Sequence, residues 1–368
     1  MKIQKIIDLL QGLAISVMPY KKYENSERKK SMLTGVFEKV GKLELQERNE
    51  PKLTSEKEVK IKVEAASICG TDVHILSDPP SHPATTDTIL GHEYVGEVVE
   101  IGKEVRNVVI GDRVIVDPTT TCGECNYCKN GIANMCENSS SIGIFEDGGW
   151  ASYSVVPSNN VYKVSKTVPP EIAVLAEPLS CVINGSEKVN VQPGDSVVIL
   201  GAGPMGQLFT QVVKAAGAGK VICSDFSDYR LSYSEKSGAT IIVNPKHDDI
   251  LQIVKEETEI GADVVIDCVG ALFDQTLDLV RKGGQVLLVG MNEHASPNIS
   301  QYQITRKEIT VKGTYIQNYD FPKVIKILEA NLLNLEALIT HKITLDQIHE
   351  GVERMRKGDA IKVVVYPK

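Results

Sequence analysis

Three short stretches carry residue types able to bind a metal and move a proton. Cys69-Gly70-Thr71-Asp72-Val73-His74 follows a β-like stretch, Gly91-His92-Glu93 opens another, and Glu177 sits in Ala176-Glu177-Pro178-Leu179. One thiolate, one imidazole and one or two carboxylates leave zinc an open position, which separates a catalytic metal site from a structural one. Zinc there is a Lewis acid that lowers the pKa of an alcohol while hydride leaves its carbon. Thr71 and His74 lie beside Cys69 and could pass the proton outward. Each residue alone has a plainer reading. Cys69 could be a buried thiol, His92 a core histidine, and Glu177 a capping or ion-paired acid.

A second cluster is denser. Cys122, Cys125, Cys128 and Cys136 have the spacing Cys-x2-Cys-x2-Cys-x7-Cys, in a segment too short and polar to bury a core of its own. Four thiolates bind zinc tetrahedrally and close such a loop, with no position left for substrate. An iron–sulfur cluster accepts similar spacings, and free structural cysteines are the remaining alternative. Four closely spaced thiols favour structural zinc.

Ser196–Gly206 reads SVVILGAGPMG, so Gly201, Gly203 and Gly206 form G-x-G-x-x-G between a strand and a helix. The first glycine makes the turn, the second admits a pyrophosphate to the backbone, and the third lets helix and strand approach. Asp225 closes the next strand at near the expected offset of about 20 residues. A carboxylate there binds the adenosine ribose hydroxyls and repels a 2′-phosphate, predicting NAD rather than NADP. Arg230 lies close by and could instead meet a 2′-phosphate.

The elements that must position these residues differ along the chain. From about 34 to 116 the pattern is period-two and β-like, as in Val59–Val63, Val95–Glu100 and Arg113–Val116. From about 194, near-continuous apolar strands alternate with helical stretches, which implies a doubly wound parallel sheet. The strand candidates are Ser196–Leu200, Lys220–Ser224, Ile241–Asn244, Asp263–Asp267, Gln285–Val289 and Ile309–Val311. A final strand, Lys362–Tyr366, is expected to pair back into the first domain. Ile3, Ile6, Ile7, Leu10 and Leu13 have helical spacing, and Lys21–Lys30 reads as a linker.

The chain has 368 residues, enough for about two domains. Its 42% hydrophobic and 24% charged residues are ordinary globular composition and exclude a disordered or coiled-coil chain. A net charge of −8 argues against nucleic-acid binding. The apolar runs fall short of a membrane helix. Clustered cysteines, with no recognisable signal peptide, suggest a reducing compartment and a cytoplasmic protein.

Taken in order, the Cys-Gly-Thr-Asp-x-His, Gly-His-Glu-x-x-Gly, four-cysteine, Ala-Glu-Pro-Leu and Gly-x-Gly-x-x-Gly motifs resemble the zinc-dependent medium-chain dehydrogenases, closest to their polyol branch. The resemblance covers residues from about 34 to 368. It implies an α/β protein with a GroES-like β-rich catalytic domain and a Rossmann domain. The expected divisions are an extension at 1–31, the catalytic domain with its cysteine lobe at 32–183, the Rossmann domain at 184–318, and a C-terminal segment at 319–368. It implies two zinc ions per subunit. The catalytic one is held by Cys69, His92 and Glu93, with Glu177 as alternating ligand or partner of the zinc-bound water, and the proton relay begins at Thr71 and continues through the cofactor ribose to His74. Implied NAD contacts are Met205, Asp225, Arg230, Cys268, Val269, Gly270, Val289, Gly290 and Met291, besides the loop glycines. A homotetramer or homodimer is implied as well.

The implied reaction is oxidation of a secondary alcohol (a polyol, cyclitol or sugar acid) to the ketone. L-Threonine 3-dehydrogenase is the alternative, and a non-catalytic relative the third reading. Where sorbitol dehydrogenase has a substrate-contacting Tyr and an Arg–Tyr pair, this chain has Ile75, Ile316 and Gln317. That departure makes sorbitol itself a poor fit. Phe145, Trp150 and Asn318 are the replacement pocket candidates.

Overall fold

The computed structural model describes residues 31–367. The helix expected near the N-terminus and the linker Lys21–Lys30 lie outside them. In the β-rich part, strand Glu58–Ile68 is the hub. It pairs antiparallel with Tyr94–Ile101, Tyr153–Pro157 and the terminal strand Lys362–Tyr366. The terminal strand joins Ile339–Thr344 in parallel on its other side. Val59, Ile61, Val63 and Ile68 are buried with Val363 and Val365 in one core, while Ala65 and Val364 face the core shared with the other domain. This two-sided burial explains why the terminal strand is almost wholly apolar.

The second sheet has six parallel strands, with Ser196–Leu200 and Ala262–Asp267 adjacent at its centre. From Ser196–Leu200 the order runs outward through Lys220–Ser224 to Ile241–Val243 on one side. It runs through Ala262–Asp267 and Val280–Leu288 to Thr310–Gly313 on the other. The chain therefore reverses direction across the sheet between the two central strands, and ligands of open α/β sheets bind at the strand ends beside such a switch point. Every expected strand is present. Val280–Leu288 begins earlier than the expected Gln285, because Val280 pairs with Ala262 before the register shifts.

Only one short helix, Gly70–Ile75, interrupts the strands between 34 and 116. It sits directly at the end of the hub strand, so the first reactive motif is a strand-to-helix junction. Helix Ala176–Ser186 carries Glu177 in its first turn and is buried along most of its length.

Candidate active site

Cys69 caps helix Gly70–Ile75. Its backbone N–H donates to Asp72 Oδ2 at 2.8 Å, and Thr71 Oγ1 lies 3.7 Å from its Sγ. Asp72 is fully buried, and its Oδ1 faces His92 Nδ1 at 3.5 Å. Neither of those two atoms has a hydrogen-bond partner among the described residues. The sequence reading assigned Asp72 no role. Here it caps the helix with one oxygen and faces the His92 ring with the other, the side from which carboxylates commonly support metal-binding histidines.

His92 and Glu93 reach the site because Gly91 takes φ +93°, a left-handed conformation open to glycine, and because Trp150 covers it. A Cβ on Gly91 would stand 2.3 Å from the Trp150 ring. Trp150 was a pocket candidate; it is instead fully buried, donating Nε1–H to the Ser67 carbonyl, and it shapes the turn that presents His92. Ile75 is likewise core, 0% exposed on the inner face of its helix.

Ligand atoms of Cys69, His92 and Glu93 lie within 4.8 Å of one another. The donor types and their excess of negative charge suit a divalent cation. Burial opposes charge on His92, yet Asp72 and Cys69 outweigh it and raise its pKa well above the usual value. Glu93 is buried and held by Lys362, whose Nζ is 2.8 Å from Oε1 and 2.5 Å from Oε2, with Ser67 Oγ also on Oε2. Burial would raise the Glu93 pKa; Lys362 and His92 hold it below the ordinary value. Lys362 and Ser67 escaped sequence analysis, although a lone lysine beginning a buried apolar strand was the available signal.

Glu177 stands apart from this three-residue group but lines the same cleft with Thr71 and His92. Burial pushes its carboxyl up to about 7. His74 lies farther out on the Thr71 helix, with Nδ1 2.8 Å from Ser81 Oγ. Its pKa is lowered by partial burial and by His82.

One wall of the cleft is built by the segment Tyr315–Gln317. Ile316 and Gln317 both line it, as does Phe145. Gln317 Nε2 spends its hydrogens on Asp117 Oδ1 and Thr119 Oγ1, both at 2.6 Å. Ile316 has φ +37°, a costly conformation for a β-branched residue. Asn184 holds it there by donating to its carbonyl at 2.5 Å. Asn318, a third pocket candidate, is turned to the cysteine lobe, accepting from Ala133 N–H at 3.0 Å and donating to the Gly131 carbonyl at 2.9 Å.

The four lobe cysteines converge, with Sγ atoms within 4.8 Å of one another. Cys136 Sγ is 3.5 Å from Cys122 and 4.0 Å from Cys125. Tetrahedral zinc with sulfur at about 2.3 Å would hold sulfurs roughly 3.8 Å apart, between those two distances. Backbone N–H groups of Cys125, Cys128 and Asn138 point at the sulfurs of Cys122, Cys125 and Cys136. Such donors, from Glu124 and Cys125, lower the Cys122 pKa to about 6. These donors favour a thiolate at Cys122, whereas burial and the neighbouring cysteines push Cys128 up to about 12.

In the parallel sheet, Gly201 turns at φ +96°, and a Cβ on Gly206 would lie 1.8 Å from the Gly201 carbonyl oxygen. Gly203 begins helix Pro204–Ala215, which includes Met205. Asp225 Oδ2 accepts from Ala202 N–H and Oδ1 from Ser227 N–H, each at 2.8 Å, which fixes the acid beside the loop. Arg230 Nη1 stands 3.9 Å from Asp225, and its buried Nε has no partner among the described residues. Across the switch point, Asp267 accepts from Val269 and Gly270 N–H groups at 2.8 and 2.9 Å. A Cβ on Gly290 would stand 2.2 Å from the Gly270 nitrogen, so Cys268–Gly270 and Val289–Met291 meet backbone to backbone.

Residues 55–166 match the alcohol dehydrogenase GroES-like domain, and residues 204–330 match the zinc-binding dehydrogenase family. L-Threonine 3-dehydrogenase of Caldanaerobacter subterraneus subsp. tengcongensis is 38% identical over 84% of this chain and 91% of its own. Sorbitol dehydrogenase of Halalkalibacterium halodurans is 34% identical over 89% of this chain and 96% of its own. A crystal structure of a protein described as a zinc-binding dehydrogenase from Sinorhizobium meliloti 1021, bound to NADP, superimposes with a TM-score of 0.87. It is 31% identical, covering 92% of this chain and all of that one. The motif order, the two convergent ligand clusters and these likenesses lead to one conclusion: the chain belongs to the zinc-dependent medium-chain alcohol dehydrogenases, in their polyol dehydrogenase-like branch, and is an oxidoreductase acting on alcohols with a nicotinamide cofactor.

Proposed function

We propose that this protein oxidises a secondary alcohol of the polyol, cyclitol or sugar-acid type to its ketone, with NAD as acceptor. The observation that carries the reading is the convergence of Cys69, His92 and Glu93 on one buried point beside the cleft that Thr71 and Glu177 line. When bound, zinc supplies a Lewis acid there and the nicotinamide a hydride acceptor.

The chain's own residues do the rest. Cys69 and His92 hold the metal, and Asp72 keeps the His92 ring turned toward it. Glu93 is a ligand that Lys362 shares, and Glu177 is the alternating one. Thr71 Oγ1 takes the substrate hydroxyl proton as it releases its own. His74 is the outer group of the relay, and with Nδ1–H donated to Ser81 Oγ its Nε2 is the nitrogen that can take up the proton. The four lobe cysteines hold a second, structural zinc. Gly201, Gly203, Met205 and Gly206 cradle the cofactor pyrophosphate. Asp225, fixed by two backbone N–H groups, takes the ribose hydroxyls and disfavours a 2′-phosphate; Arg230 flanks it. Cys268–Gly270 and Val289–Met291 border the nicotinamide. The protein works as a cytoplasmic homo-oligomer, a tetramer or a dimer.

L-Threonine 3-dehydrogenase is the second reading, favoured by the 38% identical relative. One panel assay separates them. Purified protein is given NAD and, in turn, polyols, inositols, sugar acids, butanediol and L-threonine, with and without a zinc chelator, and formation of the reduced nicotinamide is followed. Chelator-sensitive turnover of a polyhydroxylated substrate is expected. Turnover of L-threonine alone selects the second reading, and NADP preferred over NAD overturns the assignment of Asp225.

A further inference from the structure

Two carboxylates flank the candidate metal position, and they are held very differently. Glu93 is clamped through both of its oxygens by Lys362 and Ser67. Glu177 has one partner on its carboxylate among the described residues, the thiol of Cys181, whose Sγ lies 3.8 Å from Oε1. Both residues sit on helix Ala176–Ser186, four positions apart and hence on one face. Glu177 is almost buried and lines the cleft with Thr71 and His92. A thiol is a weak donor, so this carboxylate can leave its position at little cost. Glu93 cannot.

The same sulfur meets a second oxygen. Gln317 Oε1 lies 3.6 Å from Cys181 Sγ. The orientation of that amide is fixed, since Nε2 donates to Asp117 Oδ1 and Thr119 Oγ1, and a flip would set its oxygen against the Asp117 carboxylate. No other donor reaches Gln317 Oε1 among the described residues. A thiolate at Cys181 would set its charge against two oxygens, so the sulfur keeps its hydrogen. One hydrogen serves Glu177 or Gln317, but not both at once. Of the two acceptors, Gln317 is held in place by Asp117 and Thr119, and Glu177 is the one free to move.

Resting on the dehydrogenase reading above, in which Glu177 alternates on and off the metal, we propose that Cys181 is the positioning residue that sets this alternation: its S–H, given to Glu177, keeps the carboxylate off the metal and the open position free for the alcohol, and turns to Gln317 when Glu177 moves inward. Gln317 thus gives the hydrogen a partner in either state. Removing the S–H shifts Glu177 toward the metal, where it competes with substrate. That lowers the competent fraction of the enzyme and raises the apparent KM by the same factor, with kcat kept.

The test compares wild type, Cys181→Ala and Cys181→Ser, all zinc-loaded, with Cys181→Val standing in should the alanine variant not fold. Release of zinc to a chromogenic chelator is followed, the catalytic phase being the one missing from Cys69→Ser. Steady-state constants are measured on the alcohol found in the panel assay. Cys181→Ala should release catalytic zinc about 3- to 10-fold more slowly and raise KM for the alcohol by a similar factor, the worth of one ordinary hydrogen bond, with kcat and KM for NAD unmoved. Serine keeps a donor and should restore wild-type release and KM. In a Glu177→Gln background the alanine substitution should change zinc release no further. Release that is unchanged or faster in Cys181→Ala, or serine behaving as alanine does, makes Cys181 a packing residue and overturns the proposal while the dehydrogenase reading stands. Failure of all three variants to fold does the same. Wild type with no catalytic zinc phase, or silent on every alcohol, overturns both.

Discussion

Cys69 joins two tasks that are separable by mutation. Its backbone is pinned by Asp72 and its sulfur faces Thr71, so Cys69→Ser keeps the helix cap while replacing the soft ligand. Turnover should vanish, with NAD affinity, measured by calorimetry, essentially unchanged. Loss of folding instead would mean that the residue is structural. Asp225 offers the complementary case on the cofactor side. Removing its carboxylate in Asp225→Ala takes away the ribose acceptor and the repulsion of a 2′-phosphate. KM for NAD should rise by roughly 10-fold or more, as expected on losing a hydrogen bond to a charged group, and NADP should gain relative to NAD. Steady-state kinetics with both cofactors checks this. These residues were legible because the chemistry needs those side-chain types at those spacings. Asp72 was visible in the same motif, but its second oxygen meets His92 only through the fold.

Among the elements, the terminal strand Lys362–Tyr366 holds the most consequence. It inserts between the hub strand and Ile339–Thr344, and so carries Lys362 to Glu93. Both partners are almost wholly buried. Removing one member of such a pair leaves an uncompensated charge and costs about 3–5 kcal/mol, whereas removing both is far milder. Lys362→Met should therefore lower the denaturant midpoint of the zinc-free protein sharply. The double variant Lys362→Met, Glu93→Gln should recover much of the loss. Equal midpoints for the single variant and wild type would show that the pair is not compensating buried charge. The strand was predicted from its apolar run; the ion pair was not, because nothing local connects residues so distant in sequence.

For the molecule as a whole, the two candidate ligand clusters sit in different mechanical settings. The six-stranded sheet has its own buried core of Val198, Ile222, Val265 and Val286, independent of the cysteine lobe. The lobe has little core, and its hydrogen bonds run to Tyr315 and Asn318. Cys122→Ser should thus reduce bound zinc by one ion per subunit and lower the first thermal transition, while the cofactor domain still binds NAD. Metal analysis alongside calorimetry measures this. If NAD binding is lost together with the zinc, the two parts are not independent. Among the described residues no helix is long and apolar enough to cross a membrane.

By itself the sequence singled out the candidate ligand sets and determined the glycine turn, the alternation of strands and helices, and the family. Each is written in residues adjacent in the chain or in the period of the apolar pattern, which local physics reads directly. Only the tertiary structure decided that Trp150 shapes the turn before His92, that Gln317 is spent on Asp117 and Thr119, and that Lys362 answers Glu93. It also decided that a turn of the cysteine lobe, at Asn134, lines the same cleft as His92 and Glu177. Those outcomes depend on which distant strands pair and which buried polar atoms then find partners, and no local pattern encodes that accounting.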